Sequence, residues 1–281
     1  MDNDDRLVKS VTNRGLKRLA GATVAIVGAG SLGGRVGFEL AAAKVGKLIY
    51  IDPDVLEEHN VFRHIAGVEY VGKPKVDAMA MISRGKNPKV KVVAIQGDVM
   101  KNLGELQNAD LVVVAGLGSA ILTKDLAVRI REMGKKALFG GLYEKGVAGQ
   151  VLFVDPKEGP CYSCHMSEAI RYMPVFKQEF DYAAPPDEIK AQAGLGVYIE
   201  AIVPPLATWV LRILLGDIKA LGSNNFNFFL VANEPYEFEP GKWLAPHASI
   251  RRTVERKPDC RMCSISFTVR PEEIDIESIL E

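Results

Sequence analysis

Residues 23–75 read TVAIVGAGSLGGRVGFELAAAKVGKLIYIDPDVLEEHNVFRHIAGVEYVGKPK. Thr23 to Val27 is a short β-branched apolar run, the pattern of a buried strand. Gly28-Ala29-Gly30-Ser31-Leu32-Gly33 follows at once, and Gly34 to Ala43 continues at helical spacing. Each glycine has a separate reason. Gly28 permits a tight turn, Gly30 lets the backbone approach a phosphate, and Gly33 lets helix and strand pack closely. The helix start offers unpaired N–H groups and a positive dipole end to an anion. A second strand, Lys47 to Ile51, ends in Asp52, 24 residues past Gly28. A nucleotide-binding βαβ unit places its ribose-binding carboxylate at about this distance. The stretch therefore predicts a nucleotide site on a Rossmann-like sheet.

Upstream, Arg6 to Leu19 has apolar residues at 7, 8, 11, 16 and 19, an amphipathic helix interrupted by Gly15 and expected on the sheet edge. Downstream, Pro53 to Gly72 is polar and too irregular for a plain connector. Lys73 to Arg84 predicts a helix with Pro74 in its first turn. Strands are expected at Val90 to Ile95, Asp110 to Ala115 and Lys136 to Phe139, with a helix from Ser119 to about Met133. Such alternation implies an α/β fold with a doubly wound, mostly parallel sheet. The first half, residues 1–155, reads as the nucleotide-binding half. Residues 156–281 read as a second part packed on the same domain. Val147 to Val154 and Asn225 to Val231 predict further strands, and Glu200 to Leu215 a helix. From Cys161 to Leu195 the composition suggests a long loop, a class usually functional or disordered. The tail carries one β-like run, SISFTV, and an acidic end.

Composition narrows the functions. Lysine plus arginine equals aspartate plus glutamate at 35 each, so no global basic field attracts nucleic acid. The polar, acidic start is no signal peptide. The apolar run Ile199 to Leu215 contains Glu200, two prolines and Arg212, so it reads as a buried helix and not a membrane span. A cytoplasmic setting is expected. The cysteines form two C-x-x-C pairs, which in a reducing compartment point to metal before disulfide. Cys161-Tyr162-Ser163-Cys164-His165 also matches a haem-attachment pattern, which is expected outside the cytoplasm and leaves the second pair unexplained. A thiol-redox pair is the other alternative. His59, His64 and His247 read as loop or surface polarity.

The ordered motifs VAIVGAGSLGG, IDPD, HNVFRH, GKPKV, GPCYSC and CRMC resemble the ThiF/MoeB-like family of the ubiquitin-activating-enzyme superfamily. The resemblance covers about Arg6 to Cys263. It implies ATP and magnesium binding and adenylation of a C-terminal carboxylate, usually that of a ubiquitin-like or sulfur-carrier protein. A conjugating enzyme or deubiquitinase is a further expected partner, and a homodimer the expected assembly. By resemblance, Gly28, Gly30, Ser31 and Gly33 cradle the nucleotide and Asp52 holds its ribose. Asn60, Arg63 and Lys75 then face the phosphates. Asp98 lies near the adenine or caps a turn at its strand end. A structural zinc is expected on Cys161, Cys164, Cys260 and Cys263.

Two departures from the family pattern stand out. No acid follows the DLVVVA strand, where the family commonly carries a magnesium-binding aspartate; residues 114–118 read VAGLG. Magnesium would have to use Asp52 or Asp54, or adenylation is weak or lost. Nor is there a cysteine between Cys164 and Cys260 to form a thioester. The leading expectation is an adenylyltransferase. The alternatives are a nucleotide-binding scaffold for a ubiquitin-like system and an NAD-dependent oxidoreductase, which the glycine fingerprint alone permits.

Overall fold

The computed structural model describes residues 5–172, 195–217 and 226–264. In chain order the first half runs α1 (Asp5–Gly21), β1 (Thr23–Val27), α2 (Ser31–Ala42), β2 (Lys47–Asp52), α3 (Glu58–Val61), α4 (Lys75–Lys86), β3 (Lys91–Gln96), α5 (Leu103–Leu106), β4 (Leu111–Ala115), α6 (Ala120–Glu132), β5 (Ala137–Leu142) and β6 (Ala148–Val154). There follow α7 (Tyr162–Tyr172), α8 (Gly196–Glu200), α9 (Val203–Leu215), β7 (Phe228–Ala232), β8 (Tyr236–Glu239), β9 (Lys242–Leu244), β10 (Ser249–Arg252) and α10 (Arg261–Ser264).

Eight strands form one sheet in the order β10-β7-β6-β5-β4-β1-β2-β3, and β8 and β9 pair separately as a hairpin. The five strands from β3 to β5 are parallel, with Val24 of β1 opposite Leu48 of β2 and Leu111 of β4. Strands β6, β7 and β10 extend the sheet antiparallel. The second half of the chain therefore supplies β7 and β10 to the same sheet.

Side-chain alternation divides the core between the two faces. Val24, Ile26, Leu48, Tyr50, Leu111 and Val113 point to one face, under α2, α4 and α9. Ala25, Val27, Ile49, Ile51, Val112 and Val114 point to the other, where α6 contributes Leu126 and Ile130. Helices on both faces are the doubly wound arrangement expected from the alternation of elements.

Several boundaries differ from expectation. The first helix bends at Thr12 (φ 64°) and not at Gly15. Its main packing partner among the described residues is α9. Gly15 serves that packing, since a β-carbon there would lie 3.1 Å from Leu215 Cδ2. Pro74 precedes its helix, as the cap of α4. The stretch expected as loop from Cys161 begins with the helix α7. The remainder of that loop, residues 173–194, lies outside the described residues, as does all of the SISFTV run except Ser264.

The expected helix from Glu200 is two helices, broken at residues 201–202. Pro204 and Pro205 occupy the first turn of α9, where missing N–H groups cost nothing, and Gly216 ends it in the left-handed region. Residues 196–215 are long and apolar enough to cross a membrane by length and composition alone. Here Val203, Leu206, Trp209, Val210 and Ile213 of α9 are buried in the core.

Candidate functional site

Strand order reverses around β1, which lies between β2 and β4. In an open α/β sheet, ligands bind outside the carboxyl ends of the strands at such a switch point. Two glycine turns meet there. Gly28 leaves β1 with φ 91°, and a β-carbon on it would lie 2.6 Å from the Ala115 carbonyl oxygen at the end of β4. A β-carbon on Gly30, Gly116 or Gly118 would meet nothing within 4 Å. The crevice is thus tight where strand and turn pack and open where a ligand would approach. Helix α2 starts at Ser31, directly above. Its cap, Gly30, supplies no side-chain bond, and its first turn has no acid. Its leading N–H groups suit an anion.

Asp52 ends β2 and is 6% exposed. Its Oδ2 accepts the Ala29 N–H at 2.7 Å and its Oδ1 the Asp54 N–H at 2.9 Å. Burial raises its pKa, against the pull of these N–H donors and of the Lys75 charge. The carboxylate thus fixes the glycine turn as well as facing the crevice. Lys75 opens α4, and its Nζ lies 2.5 Å from Asp54 Oδ2. The lysine side chain is 12% exposed and the aspartate 59%.

Asn60 is buried in α3, where its Oδ1 accepts the Glu57 N–H in a capping box. Arg63 follows in the next turn, half-buried. Asp98 is exposed beyond β3, and its Oδ1 accepts the Met100 N–H, the capping role that was one of its two expected readings. The neighbouring Gly97 N–H donates to the Asp52 carbonyl, so Asp98 lies at the same end of the sheet.

Two residues escaped the sequence reading. His64, expected as loop or surface polarity, is buried and bonded at both ring nitrogens. Its Nε2 is 2.8 Å from the Ala29 carbonyl oxygen, and its Nδ1 accepts the Ala66 N–H at 3.0 Å. Its pKa is lowered, first by burial, with the charges of Lys75, Arg35 and Arg63 adding to the effect. His59 does match the surface reading, paired with Glu57 and exposed. Arg35 on α2 was not singled out at all. Its side chain is 15% exposed, and its Nε lies 2.7 Å from Glu200 Oε1 on α8. Helical position alone could have flagged it, since the fifth residue of α2 lies one turn from the helix start. The charges of Arg35, Arg63 and Lys75 are thus all felt at His64, the ring bonded to the glycine turn.

The four cysteines meet at the other end of the chain's path. Their Sγ atoms all lie within 4.8 Å of one another. Cys161 is 3.4 Å from Cys260 and 3.8 Å from Cys164, and Cys164 is 3.6 Å from Cys263. Sulfurs arranged tetrahedrally about 2.3 Å from a zinc ion lie roughly 3.8 Å apart, so this donor set fits such an ion. Cys161, Cys164 and Cys263 are buried, and the Lys257 N–H points at Cys164 Sγ. The cluster joins α7 to α10 and packs on Val128 of α6.

The sequence pattern of the ThiF family matches residues 3–250. The chain belongs to the ThiF family. Among relatives, a sulfur carrier protein adenylyltransferase of Thermus thermophilus is 32% identical, over 97% of this chain and 93% of its own length. The SAMP-activating enzyme E1 of Haloferax volcanii is 28% identical, over 96% of this chain and 90% of its own length. The structure of E. coli MccB with ATP superposes with a TM-score of 0.70 at 18% identity. That match covers 93% of this chain and 75% of the other, a likeness of fold. The ThiF match takes in the glycine turn, Asp52, Arg63, Lys75 and the first cysteine pair, and ends before the second pair.

Proposed function

We propose that this ThiF-family chain uses ATP to adenylate the C-terminal carboxylate of a ubiquitin-like or sulfur-carrier protein or peptide. One observation carries the reading: an open glycine turn at an uncapped helix start is bonded to His64, a ring that feels the charges of Lys75, Arg35 and Arg63. Adenylation joins two anions. A carboxylate oxygen bonds to the α-phosphorus, the bridge to the β-phosphate breaks, and pyrophosphate leaves with the electron pair. Charge neutralisation and positioning do most of the catalytic work in such a transfer. Hydride transfer to a nicotinamide has less need of three cations here. In this reading Gly30, Ser31 and the α2 start receive phosphate, Asp52 the ribose, and Arg63 and Lys75 the charge that develops on pyrophosphate. Asp54, more than half exposed beside Lys75, would hold magnesium in place of the acid missing from residues 114–118.

Two carrier-activating relatives that align along nearly their whole lengths support the substrate class. Zinc on Cys161, Cys164, Cys260 and Cys263 belongs to the same reading, as a closed structural site. So do a cytoplasmic setting, in which these thiolates stay reduced, a homodimer, and a conjugating or deubiquitinating partner downstream. The absent acid at 114–118 favours a second reading, a nucleotide-binding scaffold without turnover. Exchange of labelled pyrophosphate into ATP, with candidate carriers ending in Gly-Gly, separates the two. Carrier-dependent exchange supports adenylation. ATP binding without exchange for any carrier leaves the scaffold.

A further inference from the structure

Ala29 is the residue between the first two glycines of the turn, and its peptide groups are held from both sides. Asp52 accepts its N–H at 2.7 Å, and His64 Nε2 lies 2.8 Å from its carbonyl oxygen. The tautomer follows from the other ring nitrogen. Nδ1 faces the Ala66 N–H at 3.0 Å and must accept, so Nε2 carries the proton and donates to Ala29. The carbonyl of Ala29 belongs to the same peptide as the Gly30 N–H. A bond that fixes this carbonyl also fixes the direction of that N–H. Gly30 has neither a β-carbon nor a side-chain cap to hold it, and the space around it is open.

We propose that His64 is a positioning residue of the nucleotide site, which aims the Gly30 N–H at a phosphate by holding the Ala29 carbonyl. The inference rests on the ATP-binding reading above. His64 is set among charges from every side: Arg35 from α2, Lys75 from α4, Arg63 from its own segment, and Asp52 across the Ala29 peptide. Its Nδ1 can accept the Ala66 N–H only while the ring is neutral, a state favoured first by burial and then by the three neighbouring cations. The residue thus couples the segment carrying Asn60 and Arg63 to the phosphate turn, 35 residues away in sequence.

Two substitutions divide the ring's bonds. In His64→Asn the side-chain oxygen replaces Nδ1, so the Ala66 bond survives and the Ala29 bond is lost. In His64→Gln the amide nitrogen reaches the place of Nε2, so the Ala29 bond survives. In the nucleotide-free protein, hydrogen exchange across residues 28–34 should speed up in His64→Asn and stay near wild type in His64→Gln. Magnesium-ATP affinity, measured by calorimetry, should fall about tenfold in His64→Asn, with restoration in His64→Gln. The cost should appear in KM for ATP more than in kcat. Equal exchange and equal affinity in the two variants would overturn the inference. Exchange that separates them in a protein with no affinity for ATP would instead overturn the proposed function and leave the positioning role standing.

Discussion

A β-carbon on Gly33 would lie 1.8 Å from the carbonyl oxygen of Gly28. The first turn of α2 therefore crosses the end of β1 at a distance that only glycine permits. Gly30, two residues past Gly28, has nothing within 4 Å of such a carbon and an ordinary backbone (φ −74°). The two glycines serve different ends, and alanine substitution separates them. Gly33→Ala should cost at least about 3 kcal/mol of stability or prevent folding, because backbone and not a flexible side chain must give way. Gly30→Ala should fold with a melting temperature close to wild type and lose ATP affinity at least tenfold. Thermal melts and calorimetry on both variants check this. A Gly30→Ala protein that binds ATP normally would remove the phosphate from this turn.

Lys75 reaches Asp54 across the mouth of the crevice, and its charge is felt by both Asp52 and His64. The pair itself adds little stability, because Asp54 is more than half exposed. Lys75→Ala should therefore leave the melting temperature almost unchanged and weaken ATP binding by about 1–3 kcal/mol, the scale of a charge-assisted contact. ATP with magnesium should raise the melting temperature of the wild type, and NAD should not. Stabilisation by NAD alone would contradict the assignment.

The cysteine cluster holds α10, and with it the end of the described chain, against α6 and α7. Four thiolates packed this closely repel one another unless a cation lies among them. One zinc per chain is expected from metal analysis. Removing it should lower the melting temperature sharply, since metal-binding free energy becomes folding free energy in such sites. Cys260→Ser, at the most exposed of the four positions, should reproduce part of that loss. A metal-free protein that melts as the untreated one does would contradict the assignment.

The parallel half of the sheet is written locally. Its strands are continuous apolar runs, and its helices carry one apolar face each, so period and turn residues suffice to find them. In the antiparallel part β6 and β7 are apolar runs of the same kind, but the remaining strands are not. β8, β9 and β10 are three or four residues long and carry Glu237, Lys242 and Arg251 among their apolar residues. The pairing of β10 with β7, and of β8 with β9, is set by tertiary contact. In the site, Gly28 and Gly33 were legible because their roles follow from the turn itself; Asp52 was legible as the acid that ends β2, but its bonds to the Ala29 and Asp54 N–H groups were not. His64 was not, because the carbonyl it holds is distant in sequence. Asn60 was found as a motif residue, and its capping bond to Glu57 gives that motif a structural reason besides any contact with nucleotide.

The neutral His64 ring also predicts a pH dependence. Its folded pKa is held below the ordinary 6.5, so the contribution to stability is present above that value and is lost as pH falls through the folded pKa. His64→Gln removes the titrating group but leaves the Ala66 N–H without its acceptor. The wild type should thus be the more stable protein at pH 8, by about 1–2 kcal/mol. The gap between them should narrow as pH falls below 6.5. Denaturant melts of both proteins across that range test the sign. A gap that is constant or widens on acidification would mean that the ring is not buried neutral.

No thioester is expected on this chain. Such an intermediate needs an accessible thiolate in an electropositive setting. All four cysteines of the sequence lie in the one cluster. A sulfur bound to zinc there would have to leave the metal before it could attack an acyl-adenylate. Ser167 donates to the Ser163 carbonyl within α7, and Tyr182 lies outside the described residues. The product should therefore be an acyl-adenylate, passed directly to an acceptor nucleophile or to a cysteine of a partner protein. A non-reducing gel of enzyme, ATP and carrier tests this, with mass mapping of any adduct. Carrier-dependent pyrophosphate exchange without a thiol-sensitive band is the expected result. A thioester mapped to Cys161, Cys164, Cys260 or Cys263 would show that the cluster opens during turnover, and both the closed zinc site and direct transfer would then have to be abandoned.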